Sequence, residues 1–244
     1  MSEARTLAIA PRYCGPPGWA NGGFSCGSFA AGIDGAAEVT LRKPIPLDRQ
    51  ILIEADGDGY TATSDDGELL AEARPAAALD GIRPPVRPSV DEAAAASADS
   101  PFRGADHTYP GCFVCGPEHP DGLEIFVGPL EPGPDGREAF ADSFTIEPAL
   151  AEADGNAGPG LVWAALDCPS YVPPYWAYAP VLLGRLTAEQ LAPVPTGEPL
   201  VAVSWPLEVE GRKLHSASAV LDRDGEILAR ARALWIQLRQ PLAS

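Results

Sequence analysis

Asp66-Gly67-Glu68-Leu69-Leu70-Ala71-Glu72-Ala73-Arg74 returns later in the chain as Asp224-Gly225-Glu226-Ile227-Leu228-Ala229-Arg230-Ala231-Arg232. Asp-Gly ahead of alternating apolar residues signals a hairpin, here a type I′ turn by composition. One such pair means little, but two more landmarks recur in the same order. Asn21-Gly22-Gly23-Phe24-Ser25-Cys26-Gly27-Ser28-Phe29-Ala30-Ala31 matches Gly158-Pro159-Gly160-Leu161-Val162-Trp163-Ala164-Ala165-Leu166-Asp167-Cys168. Pro44-Ile45-Pro46, followed by Ile51, matches Pro193-Val194-Pro195, followed by Leu200. The three offsets are 137, 149 and 158 residues, so the order is kept and only small insertions intervene. Ordered self-similarity of this kind points to an internal duplication.

Each copy reads the same way. A glycine turn opens a helix of small and apolar residues, and alternating strands follow. In the second copy these strands are expected at 180–191, 199–208, 213–221 and 226–238. In the last, Ala229, Ala231, Ala233, Trp235 and Gln237 share one face, which suits packing against a helix. Leu228, Arg230, Arg232, Leu234, Ile236 and Leu238 share the other. The architecture inferred is a helix laid across a curved antiparallel sheet, made twice. Residues 76–106 are poor in large apolar side chains and rich in Ala and Pro, and they read as a connector. Within them Ser89 should cap a short helix whose first turn carries Asp91 and Glu92, where the helix dipole favours acids.

Composition narrows the function. The 244 residues carry 17 Lys+Arg against 34 Asp+Glu, a net charge of -17, which repels nucleic-acid phosphates and anionic membrane surfaces. No apolar run approaches the ~20 residues of a membrane span, and the opening Met1-Ser2-Glu3-Ala4-Arg5 lacks the apolar core of a signal peptide. Five cysteines, an odd number, fit reduced thiols. The expectation is a cytoplasmic protein that binds neither nucleic acid nor membrane.

Two stretches of the second copy carry a family resemblance. Cys112-Phe113-Val114-Cys115-Gly116-Pro117-Glu118-His119-Pro120-Asp121-Gly122-Leu123-Glu124-Ile125 resembles the opening turn of single-hotdog acyl-CoA thioesterases of the PaaI-like kind. Gly158 to Asp167 is similar to the segment in which those enzymes open their helix with His-Gly-Gly and place a catalytic Asp. Trp19-Ala20-Asn21-Gly22-Gly23 resembles the N-terminal unit of double-hotdog, TesB-like thioesterases. The resemblance implies an α+β double hotdog of two antiparallel sheets, each wrapped around a central helix. It implies an N-terminal unit at 1–75, the linker at 76–106 and a C-terminal unit at 107–244. It also implies hydrolysis of acyl-CoA or acyl-carrier thioesters without a cofactor, and it allows pairing of two chains into a homo-oligomer. Some of the arginines must then meet the coenzyme's phosphates. His119 stands where the family has Asn. Pro169, Pro173 and Pro174 fall where the family helix continues, and a proline inside a helix costs ~3 kcal/mol, so the helix is expected to end early or kink.

Asp167 closes an apolar segment, and a buried carboxylate needs a reason. The resemblance makes it general base or nucleophile toward a thioester carbonyl, with the backbone N–H groups of Gly160 and Leu161 holding the oxyanion. Ala30 stands at the aligned position of the first copy, which fits one active and one structural unit. Trp163, Tyr171, Tyr175 and Trp176 are candidate walls for the acyl group. The other reading of Asp167 is a helix-closing residue. His107, Cys112, Cys115 and His119, with Cys168 able to replace either histidine, suggest zinc. No second cysteine pair stands at ribbon spacing, so a site without metal is expected. Two alternatives remain. A hotdog hydratase would need an Asp/His pair and a Gly-Asp-x-Asn-Pro segment, which Asp154-Gly155-Asn156 does not reproduce. A silent double hotdog would bind acyl chains or a partner protein.

Overall fold

The computed structural model describes residues 4–104, 107–178 and 181–238, the side chains of 101 and 174–178 excepted. Helix α1 (Gly22–Ala30) begins after Asn21, whose Oδ1 accepts the N–H of Phe24 at 2.8 Å. Its counterpart α3 (Pro159–Tyr178) runs unbroken through all three prolines, so the expected early stop does not occur. The reason lies in the neighbouring strand β10 (Lys213–Leu221). Pro174 has no N–H for the carbonyl of Ser170, and Ser216 Oγ donates to that carbonyl instead, at 2.7 Å. Ser218 Oγ donates to the carbonyl of Leu166 at 2.6 Å, and Ser170 Oγ to that of Asp167 at 2.7 Å.

The remaining strands are β1 (Arg5–Leu7), β2 (Ala37–Leu41), β3 (Ile51–Asp56), β4 (Gly59–Ser64), β5 (Leu69–Pro75), β6 (Gly128–Pro129), β7 (Phe140–Phe144), β8 (Val181–Gln190), β9 (Leu200–Glu210) and β11 (Ile227–Gln237). Among the described residues all pair antiparallel in one sheet of eleven, in the order β1-β3-β4-β5-β2-β8-β11-β10-β9-β7-β6. The first half contributes 3-4-5-2 and the second 8-11-10-9, the same arrangement about a two-fold. The strand order therefore repeats between the two halves, as the self-similarity of the sequence leads one to expect. The bridges Trp19–Pro46 and Asn156–Pro195 repeat one another at offsets of 137 and 149 residues, those of the glycine and proline landmarks.

Two expectations are corrected. The sheets are one, not two, because β2 and β8 pair from Ala37–Ala188 to Thr40–Arg185 and satisfy each other's edge. Side chains reinforce this seam: Arg185 Nε donates to Thr40 Oγ1 and Thr187 Oγ1 to Glu38 Oε2, each at 3.1 Å. Nor are the Asp-Gly turns type I′, which needs positive φ at both central residues. Only Gly67 (φ 83°) and Gly225 (φ 82°) are left-handed there. Their N–H groups reach back to Ser64 and Asp222, the pattern of a longer loop closed by a glycine bulge.

Both helices lie on one face of the sheet, α3 against β7 to β11 and α1 mainly against β2, β4 and β5. Ala229, Ala231, Ala233 and Trp235 are buried on the helix side of β11, as the alternation requires, and Trp235 Nε1 donates to Ser170 Oγ at 3.1 Å. The connector does more than connect. Its helix α2 (Val90–Ser97) carries the expected capping box between Ser89 and Glu92. It then covers the other face of β7 and β9, where Ala93 joins Val201, Val203, Trp205, Ala217 and Leu221 in a second apolar cluster.

Ser216→Ala is expected to lower stability in urea unfolding by ~1–3 kcal/mol, the cost of an orphaned buried carbonyl. In a Pro174→Ala background, where the helix regains its N–H, that cost should fall by about half or more.

Candidate functional site

α1 and α3 cross closely because glycine permits it. A Cβ on Gly23 would collide with the Asp167 side chain and the Trp163 carbonyl, and one on Gly27 with the Pro159 carbonyl. The contact brings the amino end of α1 onto Asp167, and Gly23 N donates to Asp167 Oδ2 at 2.7 Å. Oδ1 is buried without a hydrogen-bond partner, and the residue is 3% exposed. Burial pushes the Asp167 carboxyl up to about 7, the N–H of Gly23 opposes this, Cys112 adds to the rise, and the Asn21 side chain opposes it. A carboxylate held there exchanges its proton near neutrality.

Asp167 lines a cavity of about 510 Å³ that both halves build. Asn21, Gly22 and Ile45 come from the first half; Tyr171, Leu183 and Trp235 come from the second. Tyr171 stacks on Phe102 with ring centroids 5.5 Å apart and lies 5.0 Å from the ring of Trp235. Arg42 and Lys43 also line the cavity, ion-paired with Glu72 and Glu68 and about half exposed. Gly22, the first residue of α1, has an N–H that cannot bond within its helix.

Cys112, Cys115 and Cys168, all buried, meet on the same wall, with their Sγ atoms within 4.8 Å of one another. Asn21 Nδ2 donates to Cys168 Sγ at 3.6 Å and to Cys112 Sγ at 3.9 Å. Hydrogen bonds from the other two thiols and from the backbone N–H groups of Cys115 and Val114 push Cys112 well down against its burial. Cys115 and Cys168 are pushed well up, first by their hydrogen bonds to Cys112. His107 lines the cavity too; its Nδ1 accepts the N–H of Tyr109 at 2.9 Å, and its buried Nε2 has no partner. Burial pushes its pKa down.

Of the residues singled out in the sequence, Asp167, Tyr171, His107, Cys112, Cys115 and Cys168 lie on the cavity. Gly160, Leu161 and Trp163 do not. Gly160 abuts the Phe24 ring, Leu161 N already donates to Gly158 O at 3.0 Å, and Trp163 fills the contact between the helices. Seven residues of helix separate Gly160 from Asp167, about 10 Å. The helix start beside Asp167 belongs to the other copy, at Gly22 and Gly23. The side chains of Tyr175 and Trp176 lie outside the described residues. His119 is engaged elsewhere, Nε2 donating to Arg12 O at 2.8 Å and Nδ1 accepting from Asp121 N at 3.1 Å. Sequence reasoning missed Asn21 as a cavity residue and read His107 only as a member of the metal pattern. The signal for Asn21 was present: an N-cap residue ahead of Gly22-Gly23, with a third glycine, Gly27, four residues after the second.

The chain has the hotdog fold. It superposes on a conserved hotdog protein of unknown function from Alicyclobacillus acidocaldarius with a TM-score of 0.61 and 16% identity, covering 98% of this chain and 94% of that one. A candidate thioesterase from Novosphingobium aromaticivorans gives 0.62 and 14%, covering 96% and 95%. The tesB protein of Mycobacterium avium subspecies paratuberculosis gives 0.60 and 13%, covering 96% and 92%. No protein-family profile and no curated protein sequence matches the chain. No described helix is long and apolar enough to cross a membrane.

The raised Asp167 pKa has a sign. Between the ordinary aspartate value of 3.8 and about 7 the folded chain holds a proton that the unfolded chain has released, so stability falls as pH rises through that window and is constant above it. Asp167→Asn removes this cost. By chemical denaturation the variant should exceed the wild type at pH 8 by up to ~4 kcal/mol, the gap closing toward pH 4.

Proposed function

We propose that the chain is two hotdog units in one polypeptide, residues 1–75 and 107–244 joined by 76–106, and that it hydrolyses acyl thioesters of the coenzyme A type at their seam. The observation that carries this reading is Asp167: a buried carboxylate poised near neutrality, on the wall of a largely apolar cavity, at the amino end of a helix from the opposite half. The repeated strand order and the thioesterase descriptions of the similar structures support it.

In this mechanism ionised Asp167 takes a proton from water as the water oxygen attacks the thioester carbonyl carbon. The carbonyl oxygen, turned negative, receives the Gly22 N–H at the positive end of α1. Collapse breaks the carbon–sulfur bond, and the sulfur takes the proton from Asp167 and leaves as the free thiol. Tyr171, Trp235 and Leu183 enclose the acyl group. Arg42 and Lys43 exchange their glutamate partners for the coenzyme's phosphates, a local basic rim on an acidic chain. The site is complete within one chain.

A panel of acyl-CoA and acyl-carrier thioesters assayed for free thiol should reveal turnover. Asp167→Asn should lower kcat by ~10²-fold or more. In the wild type, kcat/KM should rise with pH up to about 7 and level off above it, since only the ionised carboxylate accepts a proton. Lys43→Glu should raise KM for acyl-CoA severalfold and leave it unchanged for a short acyl-cysteamine thioester, which has no phosphates. Thiol release unaltered in Asp167→Asn would refute the assignment. The placement of His107 on the same cavity, with an unpartnered Nε2, favours a second reading, an Asp/His hydratase. Loss of enoyl absorbance without thiol release would select it.

A further inference from the structure

We propose that Cys112, Cys115 and Cys168 form a metal site that takes Zn²⁺ through three thiolates and leaves its fourth position toward the cavity. The sequence pattern around Cys112 lacks a second cysteine pair; the fold supplies the missing ligand from the middle of α3. The spacing is that of a ligand shell. A zinc–sulfur bond of ~2.3 Å in tetrahedral geometry sets two sulfurs ~3.8 Å apart. Cys112 Sγ and Cys168 Sγ stand at 3.7 Å, and Cys115 Sγ lies within 4.8 Å of both. A disulfide would need ~2.05 Å.

The surroundings are built for sulfur that carries charge. Cys112 and Cys115 sit on a tight Cys-x2-Cys-Gly turn, closed by the Gly116 N–H donating to the Cys112 carbonyl at 2.8 Å. A side chain at Gly116 would strike the backbone of Cys112, so the turn admits glycine alone without shifting. From the opposite side Asn21 Nδ2 donates to two of the three sulfurs. Its orientation is fixed because Oδ1 accepts the N–H of Phe24. A neutral thiol is a weak acceptor, whereas a metal-bound thiolate is a strong one, and such outer contacts orient ligands and tune affinity. All three cysteines line the cavity, so the fourth ligand is a water or a bound molecule, the arrangement of zinc sites that keep one position exchangeable. His119, the fourth member of the sequence pattern, has both ring nitrogens engaged and takes no part.

The inference is independent of thioester hydrolysis, because metal content is read without turnover. Protein purified under reducing conditions without added zinc should carry about one zinc per chain by elemental mass spectrometry. Replacement by Co²⁺ should give a sulfur-to-cobalt charge-transfer band with tetrahedral ligand-field bands. Cys168→Ser and Cys115→Ser should each lose most of the metal, whereas Cys14→Ser, outside the cluster, should keep it. The cobalt titration uses the wild-type chain and so does not depend on a variant folding. Wild-type protein that holds less than about a tenth of an equivalent after incubation with Zn²⁺, and shows no charge-transfer band, overturns the proposal. Full metal retention in Cys168→Ser overturns it as well.

Discussion

The contact on which the molecule turns is the approach of α1 to α3 at Gly23. It requires two glycines one turn apart on α1, because any side chain at either would strike α3. Its product is a single 2.7 Å hydrogen bond from a helix-end N–H to a buried carboxylate. Without that close crossing Asp167 would be a charge in a core with nothing to steady it. With it, one oxygen is anchored, and that N–H opposes the burial that pushes the carboxyl up to about 7. The same crossing sets Asn21 beside the three sulfurs, so the carboxylate and the thiol cluster depend on one packing event.

The sheet is shaped around these helices. α3 bears three prolines, yet β10 offers serines at 216 and 218, on the face that meets it, and returns hydrogen bonds to its carbonyls. β11 presents alanines there, which let the helix lie close. On the opposite face of the sheet, Val201, Val203 and Trp205 of β9 and Leu221 of β10 form an apolar cluster with Ala93 of α2, which packs on β7 and β9. The central strands of the second half are thus buried on both sides, and the connector is part of the core that the alternation in the sequence left uncovered.

Much of the fold was legible because duplication states itself twice. The three landmarks located both helices and the hairpins, and the period-two pattern placed β8 to β11 to within two residues. The capping box at Ser89 was readable for the same reason: its chemistry is local. The errors were of one physical kind. Whether two edges fuse into one sheet, whether a proline-bearing helix is rescued by a neighbouring strand, and which helix start faces Asp167 are all decided by partners distant in sequence. Gly160 and Leu161 resemble helix-start donors, but Asp167 lies two turns down their own helix, and only the crossing with α1 shows which donors reach it. His119 and Cys168 exchanged standing likewise: spacing favoured the histidine, and space gathered the cysteine.

The seam between β2 and β8 joins two strands of one polypeptide. A cleft assembled between separate subunits is lost whenever they part, so its occupancy varies with protein concentration. Here the tether removes that dependence, and dilution cannot take the two walls of the cleft apart. It also frees the copies from identity. Ala30 occupies the place that Asp167 holds in the other repeat, a divergence that a symmetric pair of identical chains has no means to encode.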